Sequence, residues 1–172
     1  NAGVLRDKML FSLTDDDWDL VLKVHLRGHF LLTRNACAHW RAVGKATEAP
    51  VYGRIINTSS EAFLFAPPGQ ANYAAAKSGI TALTMSASRA MSRVGVTANV
   101  ICPSATSPQA KDYFAANPEM MQAILQQVPA GRFGDSEKDI GPVAVFLASE
   151  GSSYMSGNTL FADGGAQVNG VA

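Results

Sequence analysis

The chain has 172 residues, the size of one domain, and a composition of 47% hydrophobic and 16% charged residues excludes a disordered segment. Fourteen Lys and Arg balance fourteen Asp and Glu, so no basic excess points to nucleic acid or an anionic membrane as partner. The longest apolar run, Val143 to Ala148, is far too short to span a bilayer. Cys37 and Cys102 form no CxxC pair and no disulfide framework. They are expected to be small core residues, in a protein of the reducing cytoplasm.

Thr14 followed by Asp15, Asp16 and Asp17 predicts a helix start, with a side-chain cap and three carboxylates at the positive end of the helix dipole. Apolar residues at Trp18, Val21, Leu22, Leu26, Phe30 and Leu31 continue one long helix to about Val43, stopped by Gly44. Lys45 to Pro50 reads as a loop, and Arg54 to Thr58 as a short buried strand. Ser59 to Gln70 reads as a loop holding Pro67-Pro68-Gly69. Ala71 to Arg93 predicts a second long helix, stopped by Gly95. Val96 to Cys102 is a second buried strand, ended by Pro103. Ser104 to Gly134 is polar and interrupted by Pro108, Pro118 and Pro129. Ser136 to Ala148 predicts a third helix, and Thr159 to Ala162 a third strand closed by Asp163-Gly164-Gly165.

Strands alternating with helices predict an α/β fold, a parallel sheet with helices on both faces. Three strands are too few for that architecture and leave an unpaired edge. The expectation is the second part of a doubly wound sheet and not all of one, with residues 1–172 forming part of a single domain.

The chemistry concentrates between residues 57 and 77. Tyr73 and Lys77 are four apart in one helical pattern and share a face. A free tyrosine titrates near pKa 10 and is a poor acid or base at neutral pH. An ammonium about 4 Å away, at an effective dielectric of about 20, is worth roughly 4 kcal/mol to the phenolate. That would bring the tyrosine toward a pKa of roughly 7. Ser60, at the end of the preceding strand, can hydrogen-bond the oxygen that Tyr73 protonates. A Tyr and a Lys four apart recur in many helices. The full order is rarer: strand, Thr58-Ser59-Ser60, a Pro-Gly loop, then Asn72-Tyr73 and Lys77 opening an Ala-rich helix.

This arrangement resembles the short-chain dehydrogenase/reductase family over essentially the whole chain. Ser60, Tyr73 and Lys77 match the family's catalytic Ser, Tyr and Lys, including the thirteen-residue step from Ser to Tyr. Asn1-Ala2-Gly3 is similar to its Asn-Asn-Ala-Gly motif without the first Asn. Pro103-Ser104 stands where the family has Pro-Gly, and Gly131-Arg132-Phe133-Gly134, Phe146-Leu147-Ala148 and Asp163-Gly164-Gly165 match its C-terminal pattern. The resemblance implies a Rossmann-type, dinucleotide-binding fold, of which residues 1–172 would be the C-terminal two-thirds, and NAD or NADP as cofactor. It implies Tyr73 as general acid/base, Lys77 as its pKa-lowering partner and holder of the nicotinamide ribose, and Ser60 as polariser of the substrate oxygen. Asn1, Ala2 and Gly3 would line the cofactor's ribose side. Thr58 and Pro103, Ser104, Ala105 and Thr106 would flank the nicotinamide. Ser104 to Gly134 would close over the substrate.

His25 stands where the family has an Asn whose main-chain carbonyl holds a relay water, a backbone role that a His can keep. His25 and His29 are also four apart, but no third ligand lies nearby, so no metal is expected and His29 reads as packing or exposed. Asp17-Trp18-Asp19 and Val24-His25-Leu26-Arg27-Gly28-His29-Phe30 are similar to the hydroxyacyl-CoA dehydrogenase domains of peroxisomal multifunctional enzyme type 2. From Arg132 onward the chain is more similar to 3-oxoacyl-carrier-protein reductases. The resemblance therefore implies a lipid-like substrate, a 3-hydroxyacyl or 3-oxoacyl thioester or a hydroxysteroid. The alternatives are a cofactor-retaining epimerase or dehydratase, or a non-catalytic ligand-binding or assembly subunit. The glycine-rich pyrophosphate fingerprint is absent from these 172 residues, so the segment alone is not expected to bind a dinucleotide tightly. Two long helices are apolar over more than one face, and the resemblance implies that they pair across a two-fold axis in a homodimer or homotetramer, with the strand ending at Asp163 and the tail to Ala172 as a second contact.

Overall fold

A computed structural model describes residues 2–106 and 114–167. Three strands, β1 (Gly53–Thr58), β2 (Val96–Pro103) and β3 (Thr159–Ala162), form one parallel sheet in the order β1-β2-β3. Ile55 pairs with Ala98 and Thr58 with Ile101, while Val100 pairs with Thr159 and Pro103 with Ala162. Among the described residues β1 pairs on one side only, which is the unpaired edge the sequence implies.

α1 (Asp15–Leu22) begins where the sequence places it. Thr14 Oγ1 accepts from Asp17 N at 3.2 Å, and the Asp17 carboxylate accepts from Thr14 N at 3.3 Å, a reciprocal capping box. The Lys8 ammonium, 2.6 Å from the same carboxylate, and the Thr14 hydroxyl hold Asp17 down at a pKa of about 2. The expected single helix is broken: Lys23–Arg27 form a π-helical turn before α2 (Gly28–Thr47). α2 also runs past Gly44 to a left-handed Glu48 at φ 52°. A Cβ at Gly44 would lie 3.3 Å from Val94 Cγ1, so this glycine serves close packing and not helix termination.

A short helix, α3 (Ala62–Phe65), occupies part of the expected loop. α4 (Ala71–Met91) is followed by a 3-10 turn and then Gly95 at φ 93°. There a Cβ would collide with Val51 O, and the left-handed backbone itself disfavours any other residue. Gly95→Ala is expected to destabilise the fold by about 2 kcal/mol, read as a lowered urea midpoint at unchanged m-value. α5 (Pro118–Leu125) and α6 (Gly141–Ala148) follow, α6 preceded by a π-helical turn at Ser136–Ile140.

The alternation of β1 assigns its faces. Gly53, Ile55 and Asn57 are buried toward α2 and α4: Ile55, Ala87, Met91, Val96 and Ala98 form the core, flanked by Cys37 and Trp40. Asn57 Nδ2 donates to Thr84 Oγ1 at 2.8 Å on α4, which satisfies both polar groups inside that core. Arg54 is on the other face, 3.9 Å from Glu150 just beyond α6, and the neighbouring Tyr52 hydroxyl donates to Ala148 O. Helices thus flank both faces of a parallel sheet, as in part of a Rossmann-type fold. Ile80 on α4 and Leu147 on α6 are fully buried, each worth about 2 kcal/mol of transfer free energy.

Candidate active site

Parallel α/β sheets place ligands beyond the carboxyl ends of their strands. The end of β1 carries Thr58, followed by Ser59 and Ser60, and α4 starts beside them with Tyr73 and Lys77 on one face. The start of α4 is held by Asn72, which is fully buried. Its Nδ2 donates to Arg6 O at 3.1 Å and Asp17 O at 3.4 Å, and its Oδ1 accepts from Tyr73 N at 2.8 Å. One amide therefore ties the N-terminal segment and α1 to the residue before Tyr73. Ser59 fixes the other side: its Oγ donates to Lys77 O at 2.9 Å and its N–H to Ile101 O at 2.9 Å.

Lys77 is 5% exposed. Its Nζ donates to Thr58 O at 3.1 Å and lies 5.4 Å from the centre of the Tyr73 ring. Burial lowers its pKa from 10.5 to about 8. The Ser60 hydroxyl hydrogen-bonds the Tyr73 side chain and accepts from Ala62 N at 3.2 Å. Burial pushes the Tyr73 phenol above its ordinary value; the Ser60 bond opposes this, and Asp7 and Cys102 add to it. This direction is opposite to the one expected from the Tyr–Lys spacing. Burial drives each partner toward its neutral form, and the Lys77 ammonium is engaged with a carbonyl.

His25 lies in the π-helical turn and is 4% exposed. Its ring stands edge-on to Tyr73, with centroids 5.2 Å apart and planes at 89°. Nε2 is 2.9 Å from Val4 O and 3.2 Å from Val4 N. Burial lowers its pKa, so the ring is neutral, and one nitrogen cannot both donate and accept. The shorter contact makes Nε2–H the donor to Val4 O and leaves Nδ1 an acceptor, buried and without a partner among the described residues. The sequence expected the residue-25 carbonyl to hold a relay water; in the structure that carbonyl instead accepts from Gly28 N–H and from His29, and the side chain anchors the segment carrying Gly3 and Val4.

His29, expected to be packing or exposed, is half-buried with Nδ1 2.7 Å from His25 O. Ala2 and Gly3 are exposed, with Gly3 against the His25 ring. Asn1 lies outside the described residues. Pro103 to Thr106 continue from β2 at the same end of the sheet: Ser104 N donates to Ala162 O at 2.9 Å, and Thr106 N to Gly134 O at 3.3 Å. The Ser104–Gly134 segment is described except for residues 107–113. Asn72, Ser59 and the Val4 backbone escaped sequence reasoning, because a buried polar residue carries no periodic signal. Asn72 had one local sign, a polar residue just ahead of the Tyr on an Ala-rich helix.

Residues 1–167 match the family model described as enoyl-(acyl carrier protein) reductase. The chain belongs to the short-chain dehydrogenase/reductase family. It is 51% identical over 165 residues to the hydroxyacyl-CoA dehydrogenase ChsB1 of Mycobacterium tuberculosis, covering 95% of this chain and 50% of that protein. It is 36% identical over 165 residues to the 3-oxoacyl-[acyl-carrier-protein] reductase FabG of Rickettsia prowazekii, covering 96% of this chain and 64% of that one. The FabG of Staphylococcus aureus is 35% identical over 168 residues, with 96% and 63% covered. The chain thus spans about half to two-thirds of the length of these short-chain dehydrogenase/reductase relatives.

Proposed function

We propose that this chain supplies the proton-transfer and nicotinamide-holding part of an NAD- or NADP-dependent oxidoreductase that interconverts a secondary alcohol and a ketone. The observation that carries this reading is the Ser60–Tyr73–Lys77 cluster at the carboxyl end of β1, two of its members perturbed by burial. The donor set fits a nicotinamide ribose. Lys77 has three N–H groups, one of them given to Thr58 O, and His25 Nδ1 is a buried acceptor without a partner among the described residues, in the same cluster. Ribose hydroxyls can accept from the first and donate to the second. Ala2, Gly3, Thr58 and Pro103 to Thr106 flank this position, with Asn1 adjoining them in sequence.

The cofactor, when bound, supplies the hydride. Tyr73, held neutral by burial, gives its phenolic proton to the substrate oxygen in the reducing direction. The Ser60 hydroxyl donates to that same oxygen and orients it. Lys77, near pKa 8, is poised to return a proton to the phenolate at neutral pH. In the oxidising direction each transfer reverses.

The relatives are named for hydroxyacyl-CoA and 3-oxoacyl-carrier-protein chemistry, which supports a 3-hydroxyacyl or 3-oxoacyl thioester as substrate. The intact protein is expected to reduce NAD or NADP with a 3-hydroxyacyl-CoA faster than with a hydroxysteroid, followed as nicotinamide absorbance. Product without net cofactor reduction would instead identify an epimerase or dehydratase, and binding without turnover a ligand-binding subunit. The same reading includes a homodimer or homotetramer in the cytoplasm. Leu32 on α2, Met85 on α4 and Val145 on α6 are exposed apolar residues that a second copy would cover. No helix among the described residues is long and apolar enough to cross a membrane.

A further inference from the structure

The carbonyl of His25 is filled. It accepts from Gly28 N–H within the π-helical turn, and His29 Nδ1 lies 2.7 Å from it. A carbonyl oxygen has two lone pairs, and both are engaged. Because a carbonyl only accepts, the contact requires the Nδ1–H tautomer of His29. A π-turn in a helix is rare and concentrates at functional sites. This one carries His25, whose ring abuts Tyr73 at 5.2 Å and holds Val4 O at 2.9 Å. The connected path runs from the His29 N–H to the His25 carbonyl, to the π-turn, to the His25 ring, and on to Tyr73 and the Gly3–Val4 segment.

We infer that His29 is a positioning residue: its Nδ1–H holds the His25 carbonyl and thereby sets the His25 ring against Tyr73 and the N-terminal cofactor segment. The inference rests on the oxidoreductase reading above. Burial and the Lys77 ammonium on α4 both disfavour the charged imidazoles, and in a neutral His29 the Nδ1–H bond leaves Nε2 as the bare nitrogen.

The test uses the intact protein and three variants. His29→Leu keeps the bulk and removes the donor. His29→Asn restores a donor at the place of Nδ1. Tyr73→Phe reports on the reading itself. His29→Leu is expected to lower kcat about tenfold with the cofactor KM changed less than about threefold, and His29→Asn to recover most of the loss. Nitrogen NMR of His29 in the wild type is expected to show the Nδ1–H tautomer, a readout that needs no turnover. A His29→Leu enzyme as fast as wild type, beside an inactive Tyr73→Phe, overturns the inference and leaves the oxidoreductase reading standing. So does a folded His29→Asn variant as slow as His29→Leu, or the Nε2–H tautomer in the spectrum. A Tyr73→Phe variant with wild-type turnover overturns the reading and the inference with it.

Discussion

On the proposed oxidoreductase reading, Tyr73→Phe is expected to lower kcat by about 10³-fold while the affinity for the nicotinamide cofactor stays within about threefold. The phenyl ring still fills the space edge-on to His25 and beneath the Lys77 ammonium, so packing and the cofactor segment are kept. What disappears is the phenolic proton and its hydrogen bond with Ser60. The loss is therefore confined to the step in which the substrate oxygen is protonated. Steady-state kinetics and cofactor titration on the same preparation separate the two quantities. Turnover within an order of magnitude of wild type would remove Tyr73 from the chemistry.

On the same reading, Lys77→Met is expected to lower kcat by about 10²-fold and to change how stability depends on pH. Lys77 titrates at about 8 in the folded protein against an ordinary 10.5. Below pH 8 it is charged in both states, and the cost of burying the ammonium is fully present. Between pH 8 and 10.5 the unfolded chain binds a proton there that the folded chain has lost, so stability rises with pH. Wild type is expected to gain up to about 3 kcal/mol over Lys77→Met across that window. Cys102 runs the other way: burial pushes its thiol from 9.0 to about 11, so its contribution falls as pH rises from 9 to 11. Burial, the largest cause of that slope, acts in both proteins; Lys77 also lowers the Cys102 thiol, so the same comparison in a Cys102→Ser background isolates Lys77. Urea denaturation at intervals from pH 7 to 11 measures it, and parallel curves for the two proteins would mean that the ammonium is not buried.

Tyr73 and Lys77 were legible because their relation is local: four residues on one helix put two side chains on one face whatever surrounds them. The capping box at Thr14 and the stop at Gly95 were legible for the same reason, each being set by the backbone within a few residues. The π-turn was not, since Lys23 to Arg27 continue the apolar spacing of a plain helix, and Gly44 misled because its reason is Val94, fifty residues on. The sign of the Tyr73 shift was misjudged because spacing describes the neighbouring charge and not the loss of water.

The sequence by itself determined the order of three parallel strands and their helices, the family, and the Ser60, Tyr73 and Lys77 constellation. Periodicity and short-range spacing encode the elements and the shared face of Tyr73 and Lys77; the family follows from the resemblance of the motifs around them. Only the tertiary structure decided the electrostatic state of the site and what holds it. Asn72 joins α4 to Arg6 and Asp17, and Ser59 joins β1 to α4. The two imidazoles come to bear on Val4 and the His25 carbonyl. Desolvation and long-range hydrogen bonds depend on segments far apart in the chain, and those contacts exist only once the chain has folded.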